Sequence, residues 1–322
     1  MLAVLAPLSL LAFAVLAATA GPRLLLRARW VQRAPGWGVL AWQGLAGSVV
    51  VAVALLGVTL AVPLPPVAAG LSWLTGIPTT TVVAHYLTPA GPEVAALAGL
   101  AVLALAVRLT WLATTAVIGT VRARRDQHDA LRLLGHDHAD GYVVLDHPVP
   151  LVYCLPGLHP RIVVTTAARD ALTPHELTQV LAHERRHLGS RHDVALTVAG
   201  VLRRAFAPVP LLRTLLATAQ EQVAVLVEMQ ADDAARDPRG LARALVALAC
   251  GAPTPAPHPG LAAGDVAALA RVRRLTGDDA GWSHPRSAAV GSATAAVLAV
   301  PVVLAAAPLI EMVLSGCRAM LT

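Results

Sequence analysis

Residues 173–189 read TPHELTQVLAHERRHLG, and the rest of the chain is best read outward from this run. It opens as helices open. Thr173 is a favourable N-cap, Pro174 suits the first helical position, and Glu176 stands three residues after the cap, where its carboxylate reaches back to the cap backbone. Leu177, Val180, Leu181 and Leu188 recur at helical spacing, and Gly189 is a stop signal. Residues four apart on a helix share a face, so His183 and His187 bring two imidazoles to one point, the HExxH arrangement for a metal ion. Glu184, beside the first histidine, falls where a carboxylate can take a proton from attacking water. His183 and His187 are therefore candidate metal ligands and Glu184 the candidate catalytic base.

A closed set for one Zn2+ needs a third protein ligand, and a carboxylate on a later helix is the usual source. The stretch from about Ala219 to Asp237 has helical character and is ended by Pro238 and Gly240. Glu228 and Asp232 share a face there at i and i+4. Glu228 is the expected third ligand and Asp232 the carboxylate expected to orient a ligand histidine. Asp233 is the rival for the second role and Glu221 for the first. Asp193, just past the motif helix, is expected to cap or orient it. Upstream, residues 151–155 and 161–166 read as two short strands around Pro156-Gly157, whose edge could hold a peptide in extended form. His128, His136, His138 and His147 lie among Asp126, Asp129, Asp137 and Asp140 in what reads as a solvated stretch. The Pro-rich run from Ala252 to Pro259 reads as a surface loop.

Composition places this motif in a membrane protein. Of 322 residues, 56% are hydrophobic and 14% charged, against roughly 25% charged in an ordinary soluble domain. Four stretches reach the about 20 apolar residues that a bilayer core requires: Leu2 to Ala20, Val39 to Val62, Val94 to Gly119 and Ala288 to Ile310. Arg108 is the one charge in the third and is expected to face the bundle or to snorkel. Ala18-Thr19-Ala20 resembles a signal-peptidase site, but no positive segment precedes it. Arg23, Arg27, Arg29 and Arg33 follow the first stretch, residues 63–92 hold no Arg or Lys, and Arg122, Arg124 and Arg125 follow the third. The positive-inside rule then puts both termini outside and residues 122–286 in the cytoplasm. The expected organisation is three transmembrane helices in residues 1–121, a mostly helical domain with a small β-sheet in residues 122–286, and a fourth transmembrane helix with a short tail in residues 287–322. Residues 63–92 are apolar enough to lie along the interface or dip back into the membrane.

All 25 basic residues are arginine, so chemistry built on a lysine is absent: no P-loop GK[ST], no SxxK acyl-enzyme and no Schiff base. With a net charge of +6, arginines spread along the chain and 3% aromatic residues, direct nucleic-acid binding is not expected. Cys154, Cys250 and Cys317 stand far apart, which argues against a disulfide framework and for buried reduced thiols.

Taken together, the four apolar stretches, the HExxH segment between the third and fourth, residues 160–166 (PRIVVTT), residues 180–187 (VLAHERRH) followed by Arg191-His-Asp193, and Glu228-x-x-Ala-Asp232 resemble the BlaR/MecR-type membrane zinc metallopeptidases. The resemblance extends over most of the chain. It implies a gluzincin-like fold, His183, His187 and Glu228 as zinc ligands, Glu184 as base, and an antirepressor role in a bacterial plasma membrane. A signal from outside would then lead to cleavage of a small cytoplasmic winged-helix repressor. The chain departs from the best-known members in ending a dozen residues beyond Ile310 without a β-lactam-binding domain, so acylation by a β-lactam is not expected. The alternatives are a housekeeping protease resembling the HtpX-like and CAAX-type membrane metallopeptidases, and a non-proteolytic membrane signalling scaffold, in which Glu184 would be dispensable.

Overall fold

The computed structural model describes residues 2–87, 91–251, 271–276 and 284–321. Four of its helices are long and apolar enough to cross a membrane: α1 (Leu2–Arg27), α3 (Pro35–Ala61), α6 (Gly91–Leu134) and α12 (His284–Leu321). Between α1 and α3 lies the single turn α2 (Trp30–Arg33). Residues 63–87 form α4 (Pro65–Thr75) and α5 (Thr79–Tyr86), two apolar helices bent 114° at their junction, which is the shape of a broken span or a re-entrant loop. Gly76 permits the bend by taking φ 72°, ψ 5° at the end of α4. α3 is the hub of the bundle. Trp42, Val49 and Ala52 are fully buried, and a Cβ on Gly44 would strike the Thr294 methyl of α12, so the two helices meet backbone to side chain.

α6 is 44 residues long, roughly 66 Å at 1.5 Å per residue and about twice a hydrocarbon core. It carries Leu97, Leu100, Leu103, Val107 and Trp111 exposed along its first half, as a helix facing lipid would. The boundary expected at residues 121 and 122 falls within this helix, which continues without a break to the sheet.

The sheet has four strands in the order β1 (Gly135–Asp137), β2 (Val143–Leu145), β4 (Arg161–Thr165), β3 (Val152–Leu155). β2 pairs with β4 in parallel and β3 with β4 antiparallel, so β3 is an edge. The two strands read from sequence are β3 and β4. β1 and β2 arise from the stretch read as solvated, where Gly141 (φ 81°) turns the chain. The sheet is buried on both faces by simple alternation. Ile162 and Val164 pack with Leu181 of α8 (Pro174–Gly189), while Val163 and Val143 pack with Leu131 at the end of α6. α7 (Thr166–Ala171) and α11 (Pro238–Gly251) complete this layer. The run from Ala252 to Pro259 lies outside the described residues.

The remaining two helices pack against the apolar helices. α9 (His192–Ala205) and α10 (Pro210–Asp232) form a hairpin that shares one hydrophobic core with the apolar helices. Leu212, Leu215, Leu216, Val223 and Leu226 of α10 are buried together with Leu10 and Ala14 of α1 and with Trp42, Leu45 and Val49 of α3. α9 runs beside α6 and is tied to it at both ends. Arg124 bonds Asp193 at 2.6 Å, and Arg108 donates to the carbonyls of Ala205 at 2.8 Å and Arg204 at 2.9 Å. The arginine inside the third apolar stretch thus caps the negative end of a helix rather than pairing with an acid. Arg203, Arg204, Arg213 and Glu221 dilute the hydropathy of the hairpin, which is why sequence places it in a soluble domain. The helix carrying Glu228 begins at Pro210, nine residues before the expected start, and ends at Asp232, because Pro210 takes its first turn and the chain leaves helical bonding at Asp233.

Candidate metal centre

The capping box anticipated at the head of α8 is complete: the Thr173 hydroxyl accepts from the Glu176 N–H, and the Glu176 carboxylate accepts from the Thr173 N–H at 3.1 Å. Helix α8 thereby starts in a fixed register. His183 turns inward, buried, and His187, one turn on, lies beside it. α10 crosses so that Glu228 meets both. His183 Nε2 and His187 Nε2 are 3.1 Å apart, and the Glu228 carboxylate oxygens lie 3.6 Å from the first and 3.5 Å from the second. Among the described residues these three side chains form the group able to hold a metal ion. Ligand atoms about 2.0–2.2 Å from a tetrahedral zinc are about 3.3–3.6 Å from one another, so the carboxylate stands at that spacing from both imidazoles, while the two imidazole nitrogens, 3.1 Å apart, are slightly closer than that. His128, His136, His138 and His147 bring no comparable group together.

Each ligand is held from behind. Asp232 Oδ1 lies 3.0 Å from His183 Nδ1, fully buried, although the imidazole N–H is not aligned on it. Nδ1 of His192 lies 2.9 Å from His187 Nδ1, and its Nε2 lies 3.1 Å from Gln230 Oε1. The network closes when His187 donates from Nδ1 and His192 donates from Nε2 to the amide oxygen, which leaves His187 Nε2 free as an acceptor. Asp193, expected to orient the motif, instead bonds Arg124 and faces α6; its neighbour His192 has the position at the metal centre. The left-handed backbone of Arg191 (φ 50°, ψ 47°) swings His192 back toward His187. Asp233, the rival to Asp232, bonds Arg274, and Glu221 is exposed on α10.

Arg271, in the helical segment 271–276, was not foreseen. It grips Asp232 with two bonds of 2.8 and 2.7 Å and reaches Glu228 at 2.9 Å. Two buried carboxylates call for a cation, but nothing in the local pattern singles out this arginine from the other 24. His192 was equally hidden, because its approach depends on a backbone turn rather than on helical spacing.

Electrostatics follow from this cage. Burial disfavours charge on His183, but Asp232 and Glu228 outweigh it and lift its pKa to about 9. Burial drives His187 down to about 4 against the pull of Glu228, and the positive charges of His183, His192 and Arg271 add to the fall. Burial also opposes ionisation of Glu228 and Asp232, yet the bonds to His183 and Arg271 hold both below the usual carboxylate range. For Glu184 burial prevails over the His183 charge, and its carboxyl is pushed up. Its neighbour Cys154, on the α8 side of β3, is pushed up to about 12 by burial and by the Glu184 charge. The thiol is therefore a neutral group against the carboxylate.

Residues 120–249 match the family model of Peptidase family M48. Over 136 residues the chain is 37% identical to the Plastoglobule-localized metallopeptidase 48, chloroplastic, of Arabidopsis thaliana, covering 39% of this chain and 39% of that protein. The chain thus spans well under half the length of this curated relative. No solved structure matches the chain at a significant level. The matches support the M48 family and do not reach the narrower BlaR/MecR likeness.

Proposed function

We propose that the chain is an integral membrane zinc endopeptidase in which His183, His187 and Glu228 hold one Zn2+ and Glu184 is the general base. The observation that carries this reading is the convergence of His183 Nε2, His187 Nε2 and the Glu228 carboxylate within a segment that matches a peptidase family. Zinc bound there would polarise a peptide carbonyl and acidify the attacking water. Everything else is the work of the chain's own side chains. Asp232 and Arg271 fix His183 and Glu228, and His192 with Gln230 fixes His187. Glu184 takes the proton of the attacking water and passes it to the leaving amine. Burial raises its pKa, which makes it a stronger base for the first of these transfers.

The substrate is held as an added strand on the free edge of β3. No strand pairs with that edge among the described residues, and Cys154 of the same strand touches Glu184. A peptide laid there in extended form runs past the base, with its main chain recognised by the backbone of residues 152–155.

Two substrate readings follow. The BlaR/MecR resemblance supports a cytoplasmic winged-helix repressor, cut in response to an envelope signal at a bacterial plasma membrane, with both chain termini outside. The second reading, processing of membrane proteins, is favoured by the hairpin α9–α10, which builds the site directly against the apolar helices. Comparing protein N-termini in host cells that express the wild type or Glu184→Gln tests the proposal. Glu184→Gln removes the base and spares the three ligands, so its metal content stays at the wild-type level while turnover falls by at least about a hundredfold. New N-termini that depend on Glu184 and fall in a small DNA-binding protein support the repressor reading; many in membrane proteins support the other. If no terminus depends on Glu184 under varied envelope stress, the peptidase reading is wrong and the chain is a scaffold.

A further inference from the structure

A cavity of about 950 Å³ opens between the junction of α2 with α3 and the start of α9, at the upper end of the range for small-molecule sites, about 300–1,000 Å³. Four arginines line it: Arg33 from α2, Arg186 from α8, Arg191 ahead of α9, and Arg274. Asp233 is the one acid in its wall and is already bonded to Arg274. Arg33 and Arg191 are exposed, and no ion pair engages either among the described residues. The mouth is therefore strongly positive.

Its inner wall is not. Trp37 and Leu40 of α3 face Val194 and Val198 of α9 across it. Val194 and Val198 also line a second groove of about 300 Å³ between α6 and α9, together with Val117 and Val121. Both α3 and α6 are helices long and apolar enough to cross a membrane, so the two hollows lie along surfaces that lipid can reach. A ligand that satisfies both ends has an anionic head and a hydrocarbon body. A soluble acidic peptide would satisfy the arginines and leave the apolar wall wet.

We propose that this cavity binds an anionic phospholipid, with its phosphate against Arg33 and Arg191 and its acyl chains along Leu40, Val194 and Val198. Planar guanidinium groups suit phosphate oxygens in two-point contacts. Ala34 at the head of α3 and Arg191 at the head of α9 provide no side-chain cap, so no capping side chain competes with a headgroup at either helix start. Gln230 and His192 form part of the same wall, so the bound lipid also lies against the pair that holds His187.

Native mass spectrometry of the full-length chain in detergent tests this, with palmitoyl-oleoyl phosphatidylglycerol and the phosphatidylcholine of identical chains as probes. It reads binding itself and so stands apart from the peptidase reading. The wild type should retain one phosphatidylglycerol in preference to phosphatidylcholine. Arg33→Gln with Arg191→Asn, where asparagine tolerates the left-handed backbone, should weaken retention about twenty-five-fold, about fivefold for each arginine. Leu40→Trp keeps every arginine but fills the apolar wall, and it should lose the lipid too. Arg122→Gln with Arg125→Gln, outside the cavity, should retain it. The proposal is overturned if the two lipids bind equally, if Arg33→Gln with Arg191→Asn and Leu40→Trp both retain phosphatidylglycerol, if Arg122→Gln with Arg125→Gln loses it equally, or if glycerol 1-phosphate displaces it at equal concentration, which would make the ligand a soluble phosphate.

Discussion

At the residue scale the cage around the metal centre makes protons and zinc competitors. His183 is held protonated up to about pH 9 by Asp232 and Glu228, His187 is neutral above about pH 4, and Glu228 is ionised. At pH 7 zinc therefore displaces about one proton, from His183, and its apparent affinity rises about tenfold per pH unit until pH 9, where it levels off. Calorimetry in two buffers of different ionisation enthalpy counts that proton; a count of zero at pH 7 would contradict the assignment. For the metal-free chain the sign is opposite. A raised histidine pKa stabilises the fold fully below the unfolded value of about 6.5 and ceases to do so as pH climbs through 9. Asp232→Asn weakens the hold on His183 and leaves Arg271 half-paired, so zinc affinity should fall about 10–100-fold in a competition assay with a chelator. The pairing of His183 with His187 and of Glu228 with Asp232 was legible, since helical spacing brings the members of each pair to one side of a helix. Arg271 and His192 were not, because a partner chosen by tertiary approach leaves no periodic mark in sequence.

At the element scale, caps and clasps decide where helices stop. Arg108 bonds the last carbonyls of α9 from within the apolar part of α6. Arg108→Leu strips those carbonyls of their donor, and on the proposed membrane reading no water replaces it there, so the change should cost about 1–3 kcal/mol, read as a lower midpoint of thermal unfolding in detergent. An unchanged midpoint would mean that the cap contributes nothing to stability. The four apolar helices were plain from hydropathy, and α8 from its capping box. β1 and β2 escaped notice because strands of three residues are too short to show an alternation, and β1 consists of Gly, His and Asp. Arg108 was expected to face the bundle or to snorkel, and its partner stayed unread because it is a main-chain carbonyl nearly a hundred residues later.

At the scale of the whole molecule, one core runs from α1 and α3 into α10, so the peptidase segment is not a detachable unit. A fragment of residues 122–286 exposes Leu212, Leu215, Leu216 and Leu226 once α1 and α3 are removed. Expressed alone it should aggregate or stay unfolded by circular dichroism; a soluble, folded, zinc-binding fragment would refute the shared core. Sequence divided the chain by polarity, and a hairpin with scattered arginines and a glutamate looked soluble by that measure. The clasp of Arg124 to Asp193 also sets the height of the cutting edge. It pins the start of α9, and with it His192 and His187, to the turn of α6 that directly follows the apolar stretch. On the proposed reading the blade lies almost flush with the bilayer. Bonds within the first few residues of a chain leaving the membrane come under it, while a folded domain on a long stalk stands clear. Where a substrate is cut is thus counted from the lipid surface, and the anchor chooses the bond as much as the side chains around it do.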